Sequence, residues 1–468
     1  MKFKRGIAII LGLSLATWAC SDDDDDGASA SRDGGAEDGD AGDAGAADDE
    51  SPAPAGAIYA LTNGHNASEQ ISAADDADDE DRENAVIAYY RFGDGSLSEI
   101  GIYPTGGLGE NIRNSGANPL ASQDPLIVAD DNQLLFAVNP GSDSITSFRI
   151  GEDMSLTVAS EDVSTRGDSD ARNPVSLAYD PDERVLYVVN TGAFFDGDDE
   201  ADTLPEDRNR TNASVVGFSV DDDGELELLE DSEIPNVGEN AGSIEFSTDG
   251  STLIVTQRRT NTIEIIPMED GLPDRDGEGD IDIETLNANT DQPFGTDVLD
   301  LGEGDILLIS EGNNGLAGQS ALSSYIIDDQ DLTEVSESTG EEDDPLLTGF
   351  TFGCWVEFAQ GPEGAFAYVA NTPDGVISSY TVEADGTIEV LEQEAGRAGI
   401  EDDDEQNGVG VLDSEVTWPY LYQVVNNDGR IAAWEIAADG ELTRLPEDAE
   451  IVNTDELRGG MFVGLAGF

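Results

Sequence analysis

The sequence predicts an all-β chain folded as a seven-bladed β-propeller. Three observations predict it: a four-strand unit recurs through residues 58–468, the first two strands of each unit are nearly continuously apolar, and one unit is split between the two ends of the body. The cleanest copy starts at Val175-Ser176-Leu177-Ala178-Tyr179-Asp180-Pro181 and continues through Arg184-Val185-Leu186-Tyr187-Val188-Val189-Asn190. Residues 214–220, the turn Asp221-Asp222-Asp223-Gly224 and residues 225–229 complete it. Its first two strands read as buried on both faces, and its last two alternate with period two, as outer strands with one wet face should.

The same unit recurs at 126–129, 134–139, 144–150 and 156–158, and again at 243–247, 252–257 and 262–267. Further copies run through 296–301, 306–311, 321–327 and 332–335, through 355–359, 365–371, 376–382 and 388–391, and through 410–413, 421–426, 430–436 and 442–445. Residues 58–63, 85–92 and 97–101 lack an innermost strand, whereas 461–468 form a strand with no successors. Joining the two completes the first blade and closes a ring of seven, so that no sheet edge is left open at the seam. The body divides into about 59 residues per blade, more than the roughly 40–45 of WD40 blades. The excess falls in loops at 64–84, 102–123, 191–212, 268–291 and 392–408, where ligand specificity is expected.

The N-terminus predicts export. Lys2, Lys4 and Arg5 precede an uncharged apolar stretch from residue 6 to 16, too short to span a bilayer, followed by Ala19-Cys20. Residues 1–19 read as a signal peptide and Cys20 as a lipidated first residue, although Thr17 and Trp18 depart from the usual pair before such a cysteine. Residues 20–57 carry the run Asp22 to Asp26 among Ser, Gly, Ala, Glu and Pro, and read as a disordered acidic tether. The expected location is extracytoplasmic on a lipid anchor, most simply at the outer membrane, on its periplasmic or cell-surface side. The membrane is expected to be touched only through that anchor.

The chain carries 103 acidic and 20 basic residues; without residues 1–19 the basic count is 17 and the formal charge −86. Every lysine lies in those first residues. Acidity spread along the whole length suits high salt, where counterions screen self-repulsion, and excludes nucleic acid as a partner. Of the two cysteines, Cys354 is read as a small core residue. The acidic run Asp274-Arg275-Asp276-Gly277-Glu278-Gly279-Asp280 follows an EF-hand loop through its first positions, but its terminal Glu284 comes one residue early, so it is read as a solvated loop and no metal is expected. A closed ring needs no second subunit, and a monomer is expected.

The wording of the repeats resembles the lactonase-family β-propellers, with their YVTN-like strands. It is carried by Leu134-Leu135-Phe136-Ala137-Val138-Asn139-Pro140-Gly141 leading to Ser147-Phe148, by Ala321-Leu322-Ser323-Ser324-Tyr325, and by Cys354-Trp355-Val356 leading to Tyr368-Val369-Ala370-Asn371-Thr372. That family includes the propeller type of 6-phosphogluconolactonase and cyclising carboxymuconate enzymes. The resemblance implies opening or closing of a small sugar-acid or organic lactone at one mouth of the ring, with no cofactor and no metal, by combinations of His, Arg and Glu. The matching residue types here are His65, the single histidine, and Glu311 as acid–base candidates, with Arg113, Arg258 and Arg259 as candidates for holding an anionic substrate. A non-catalytic envelope propeller that binds a protein, polysaccharide or small ligand is the alternative, because the family also includes members of no settled activity and fold alone does not fix function.

Overall fold

The computed structural model describes residues 52–64, 83–110, 119–169, 172–192, 212–302, 304–328, 331–335, 346–398, 410–425, 430–446, 449–452 and 462–468. Seven antiparallel sheets are found among them. From the axis outward, blade I runs Phe462–Gly467, Gly56–Thr62, Glu83–Arg91 and Leu97–Leu108. Blade II runs Leu126–Ala129, Leu134–Asn139, Ser144–Ile150 and Leu156–Ser164, and blade III Pro174–Asp180, Val185–Asn190, Asn212–Val220 and Leu226–Leu228. Blade IV starts with Ala241–Phe246 and Thr252–Gln257, blade V with Pro293–Asp300 and Asp305–Glu311, blade VI with Gly353–Gly361 and Gly364–Asn371, and blade VII with Val411–Thr417 and Tyr420–Val425.

Burial follows the apolar pattern. Leu134–Asn139, Val185–Asn190, Thr252–Gln257 and Tyr420–Val425 are buried at every position, whereas the outer strand Leu156–Ser164 buries only its first residue. Cys354 sits in the core.

The ring closes as the split unit requires. Phe462–Gly467 pairs antiparallel with Gly56–Thr62, setting Ile58 opposite Gly467, Ala60 opposite Leu465 and Leu61 opposite Gly464. The buried Arg91 donates from Nε and Nη2 to the Phe468 carbonyl (3.2 and 3.1 Å), and a Cβ on Gly56 would stand 1.8 Å from that oxygen. Blades are also pinned to their neighbours by buried tyrosines of the second strands. Tyr187 donates to the Gly271 carbonyl of blade IV (2.9 Å), Tyr368 to Gly440 of blade VII (3.0 Å) and Tyr422 to Gly95 of blade I (2.9 Å). Each hydroxyl therefore finds an acceptor while its ring fills the space between sheets.

Three short strands were not legible beforehand: Ile234–Glu239, Glu284–Asn287 and Ile451–Val452 pair with the third strands of blades III, IV and VII. The run that resembles an EF-hand loop is part of a hairpin, bridged at Arg275 and Ile281, in which Asp276 Oδ1 accepts the N–H groups of Glu278 and Asp280.

Candidate active site in the axial channel

The innermost strands bring together a set of carboxyls. In blades IV to VII, Glu245 stands opposite Ile254, Asp297 opposite Leu308, Glu357 opposite Tyr368 and Glu415 opposite Tyr422. These are equivalent positions, each three residues before the end of its second strand, so the propeller repeat stacks four carboxyls around one side of the axis. In blades I to III the corresponding residues are Ala466, Ile127 and Ala178. A β-bulge near the start of each acidic strand, between Ala241 and Ser243, Pro293 and Thr296, Gly353 and Trp355, and Val411 and Ser414, sets this register. Asp124, which precedes blade II, and the buried Asp413 of blade VII join the group.

One segment floors the channel. Ser122, Gln123 and Asp124 reach four blades: Ser122 Oγ donates to the Val175 carbonyl (2.7 Å), Gln123 N to Gly242 O (3.0 Å), and Trp355 Nε1 to Ser122 O (2.8 Å). Gln123 Nε2 donates to the carbonyls of Thr296 (2.7 Å) and Val356 (3.0 Å), and its Oε1 accepts from Val356 N (3.1 Å). Thr296 and Val356 immediately precede Asp297 and Glu357, so this amide ties together the two strands that present those carboxyls. Gly295 makes the room: a Cβ there would lie 2.0 Å from Gln123 Oε1. Ala121 and Asp124 both take left-handed backbone (φ 55°), a strained geometry held by these bonds.

Above the floor lies a cavity of about 520 Å³, lined by Asp124, Glu245, Asp297 and Glu357 together with Ile127, Leu177 and Tyr179; the turn residues Asp130 to Asn132 and Pro181 also line it. No basic side chain is among its described lining residues. Burial raises the carboxyl pKa values first, and neighbouring charge raises them further. Asp297 is pushed up to about 7 by burial, against the pull of the N–H groups of Phe358 (2.6 Å) and Val298. Asp124, Glu245, Glu357, Asp413 and Glu415 are all held well above the usual carboxylate range by burial and then by one another's charge. Crowding and burial oppose the loss of every proton from such a group together, the condition under which neighbouring carboxyls serve as an acid–base pair.

Of the residues singled out in the sequence, those that are described lie elsewhere. His65 and Arg113 fall outside the described residues. Arg258, Arg259 and Glu311 lie where the second strands of blades IV and V end, at the other end of the channel from the turns that line the cavity. Arg258 is buried, donates to the carbonyls of Asn240 (3.1 Å) and Ala241 (3.3 Å) and lies over the Phe294 ring (5.3 Å). Arg259 pairs with Glu239 (3.2 Å). Glu311 accepts from Asn289 N (3.0 Å), Thr290 N (3.0 Å) and Thr290 Oγ1 (2.8 Å), and burial pushes its pKa up to about 7. Structure brings Arg258 and Glu311 to the same end, since Pro293, next to Phe294, pairs with Glu311.

Solved structures share this architecture. A periplasmic gluconolactonase of Pseudomonas aeruginosa superposes with a TM-score of 0.52 at 16% identity over 88% of this chain and 99% of that one. The chain shares the seven-bladed propeller fold of these structures. A candidate 6-phosphogluconolactonase of Bacteroides uniformis (TM-score 0.53, 16% identity) and a Lactobacillus plantarum protein (0.53, 13%) each match over 88% of this chain and 99% of their own. At such identity the likeness concerns the fold alone. No protein-family model matches the sequence, and no curated protein does either.

The carboxyl ring did leave a signal in the sequence. An acidic residue sits inside the innermost strand of four successive repeats, in Ser243-Ile244-Glu245-Phe246, Thr296-Asp297-Val298, Val356-Glu357-Phe358 and Ser414-Glu415-Val416, where a buried strand should be apolar.

Proposed function

We propose that the axial cavity is a hydrolytic site for a small lactone, with Asp297 and Glu357 at its centre. The supporting observation is a floored cavity lined by carboxyls that burial raises, Asp297 to about 7 and Glu357 well above the usual carboxylate range. In this reading an ionised carboxylate takes a proton from water as the water attacks the lactone carbonyl. A neighbouring protonated carboxyl hydrogen-bonds the carbonyl oxygen and then protonates the departing ring oxygen, as the acyl C–O bond breaks. Water and lactone give one hydroxy acid, which ionises and is repelled by the acidic wall; charge thus favours product release. The name of the Pseudomonas propeller, a gluconolactonase, is in keeping with a lactone as the substrate class here.

The test is pH-stat hydrolysis of glucono-1,5-lactone at molar salt by the full chain and by Asp297→Asn and Glu357→Gln. The expected loss is about 100-fold or more in kcat/KM for each variant. Turnover unaffected by both would dismiss the site, and absence of turnover in the parent would favour the non-catalytic binding alternative. We also propose that the protein works outside the cytoplasm on a lipid at Cys20, which metabolic labelling with a fatty acid, lost in Cys20→Ala, would test.

A further inference from the structure

We infer that the Asp124–Pro125 peptide bond in the channel floor is a self-cleavage site, broken by the Asp124 carboxyl acting on its own main-chain carbonyl. The inference does not depend on what enters the cavity.

Aspartyl–prolyl bonds split in acid more readily than other peptide bonds, because the side-chain carboxyl can close on the carbonyl carbon and the tertiary prolyl nitrogen is a basic leaving group. The sequence holds three, at 124–125, 180–181 and 344–345, the last outside the described residues. The fold treats the other two differently. Asp124 takes left-handed backbone (φ 55°), which the ring of a following proline disfavours, so this bond starts strained. Its carbonyl accepts the Leu177 N–H (3.0 Å), a donor placed where negative charge develops when that carbon is attacked. Asp124 also lines the cavity, which admits water, and the charged groups facing it are the carboxyls of Glu245, Asp297, Glu357, Asp413 and Glu415. Burial and mutual repulsion keep protons on these carboxyls beyond the usual carboxylate range, so a proton source stands beside the bond outside strong acid. Asp180 differs: its backbone is not left-handed, and its Oδ1 already accepts the N–H groups of Asp182 (2.9 Å) and Glu183 (3.4 Å).

In the cleavage an Asp124 carboxyl oxygen bonds to the main-chain carbonyl carbon, and its proton passes through a neighbouring carboxyl to the Pro125 nitrogen. The C–N bond breaks, leaving a cyclic anhydride and a prolyl secondary amine. Water then opens the anhydride, and Asp124 is left with two free carboxyls. The halves stay in one ring, because Phe462–Gly467 of the second pairs with Gly56–Thr62 of the first. What is lost is the covalent link between the floor and blade II.

The experiment holds the purified full chain at about pH 5 and molar salt, native and in urea, and follows it by intact mass spectrometry after denaturation. Expected in the native chain are two fragments, one ending at Asp124 and one beginning at Pro125, whose masses sum to the parent plus one water. They should form about tenfold or more faster than the products of a cut at Asp180–Pro181. In urea the two bonds should be cut at similar rates, since the strain and the Leu177 donor exist only in the fold. Asp124→Asn, a residue that tolerates left-handed backbone, should suppress the native cut. A native chain that stays intact at 124–125, equal native rates at the two bonds, a preference that survives in urea, or undiminished cutting in Asp124→Asn would each overturn the inference.

Discussion

Two carboxyls of blade V invite comparison. Glu311, at the end of the second strand, and Asp297, on the innermost strand beside it, are both pushed up to about 7 by burial. Their surroundings differ. Glu311 divides three donors from residues 289 and 290 between its two oxygens, and so organises a loop. Asp297 accepts from backbone N–H groups of its own strand and of blade VI, and it lines a cavity with other acids. The same shift in pKa therefore accompanies a structural carboxyl in one place and a chemically exposed one in the other, and only the neighbours separate them.

The largest expected effect that would sharpen this contrast is on activity. Asp297→Asn should lower kcat/KM for an uncharged lactone by about 100-fold or more, while Glu311→Gln leaves it within about threefold; equal losses in both would erase the distinction.

Stability should part the two next. Gln at 311 must turn an NH₂ toward one of the donors that both carboxylate oxygens now accept, costing on the order of 1–3 kcal/mol in urea unfolding. Asn at 297 keeps an acceptor for Phe358 N and removes a buried charge, so it should be neutral or stabilising at pH 8. The floor gives an effect of similar size: Gln123→Ala removes three hydrogen bonds and should cost about 2–3 kcal/mol, measurable in the same titration, because it frees the strands carrying Asp297 and Glu357.

A smaller effect is on pH dependence. Both carboxyls bind protons more tightly folded than unfolded, so their contribution is fully present below about pH 4 and is lost as pH rises toward and through about 7. Melting temperature at fixed salt should be higher at pH 5 than at pH 8, and Asp297→Asn should flatten part of that slope; an unchanged slope would count against a raised pKa at Asp297. The smallest expected effect is the general one: raising salt should lift the melting temperature by screening a formal charge of −83 on the full chain.

The fold was legible in the sequence because its cause is periodic. Buried second strands such as Val185–Asn190 must be apolar throughout, and the partnerless strand ending at Phe468 had one place to go. Pairing begins at Phe462 in the described residues. The short third-strand partners escaped notice because residues such as 284–287 are polar and mostly exposed.

The site was less legible, for a physical reason. Among 103 acidic residues, Glu245, Asp297, Glu357 and Glu415 differ from the rest only in being repeated inside innermost strands, so rarity directed attention to arginines instead. Gln123 could not be found by periodicity at all, since it belongs to a loop present once, and its importance comes from contacts up to 233 residues away.

The most direct test of where this propeller works is a crystal structure with the unreactive glucono-δ-lactam bound. Its ring should lie above Gln123, within hydrogen-bond reach of Asp297 and Glu357. A ring seated instead against Arg258 and Glu311 at the opposite end of the channel would contradict the assignment.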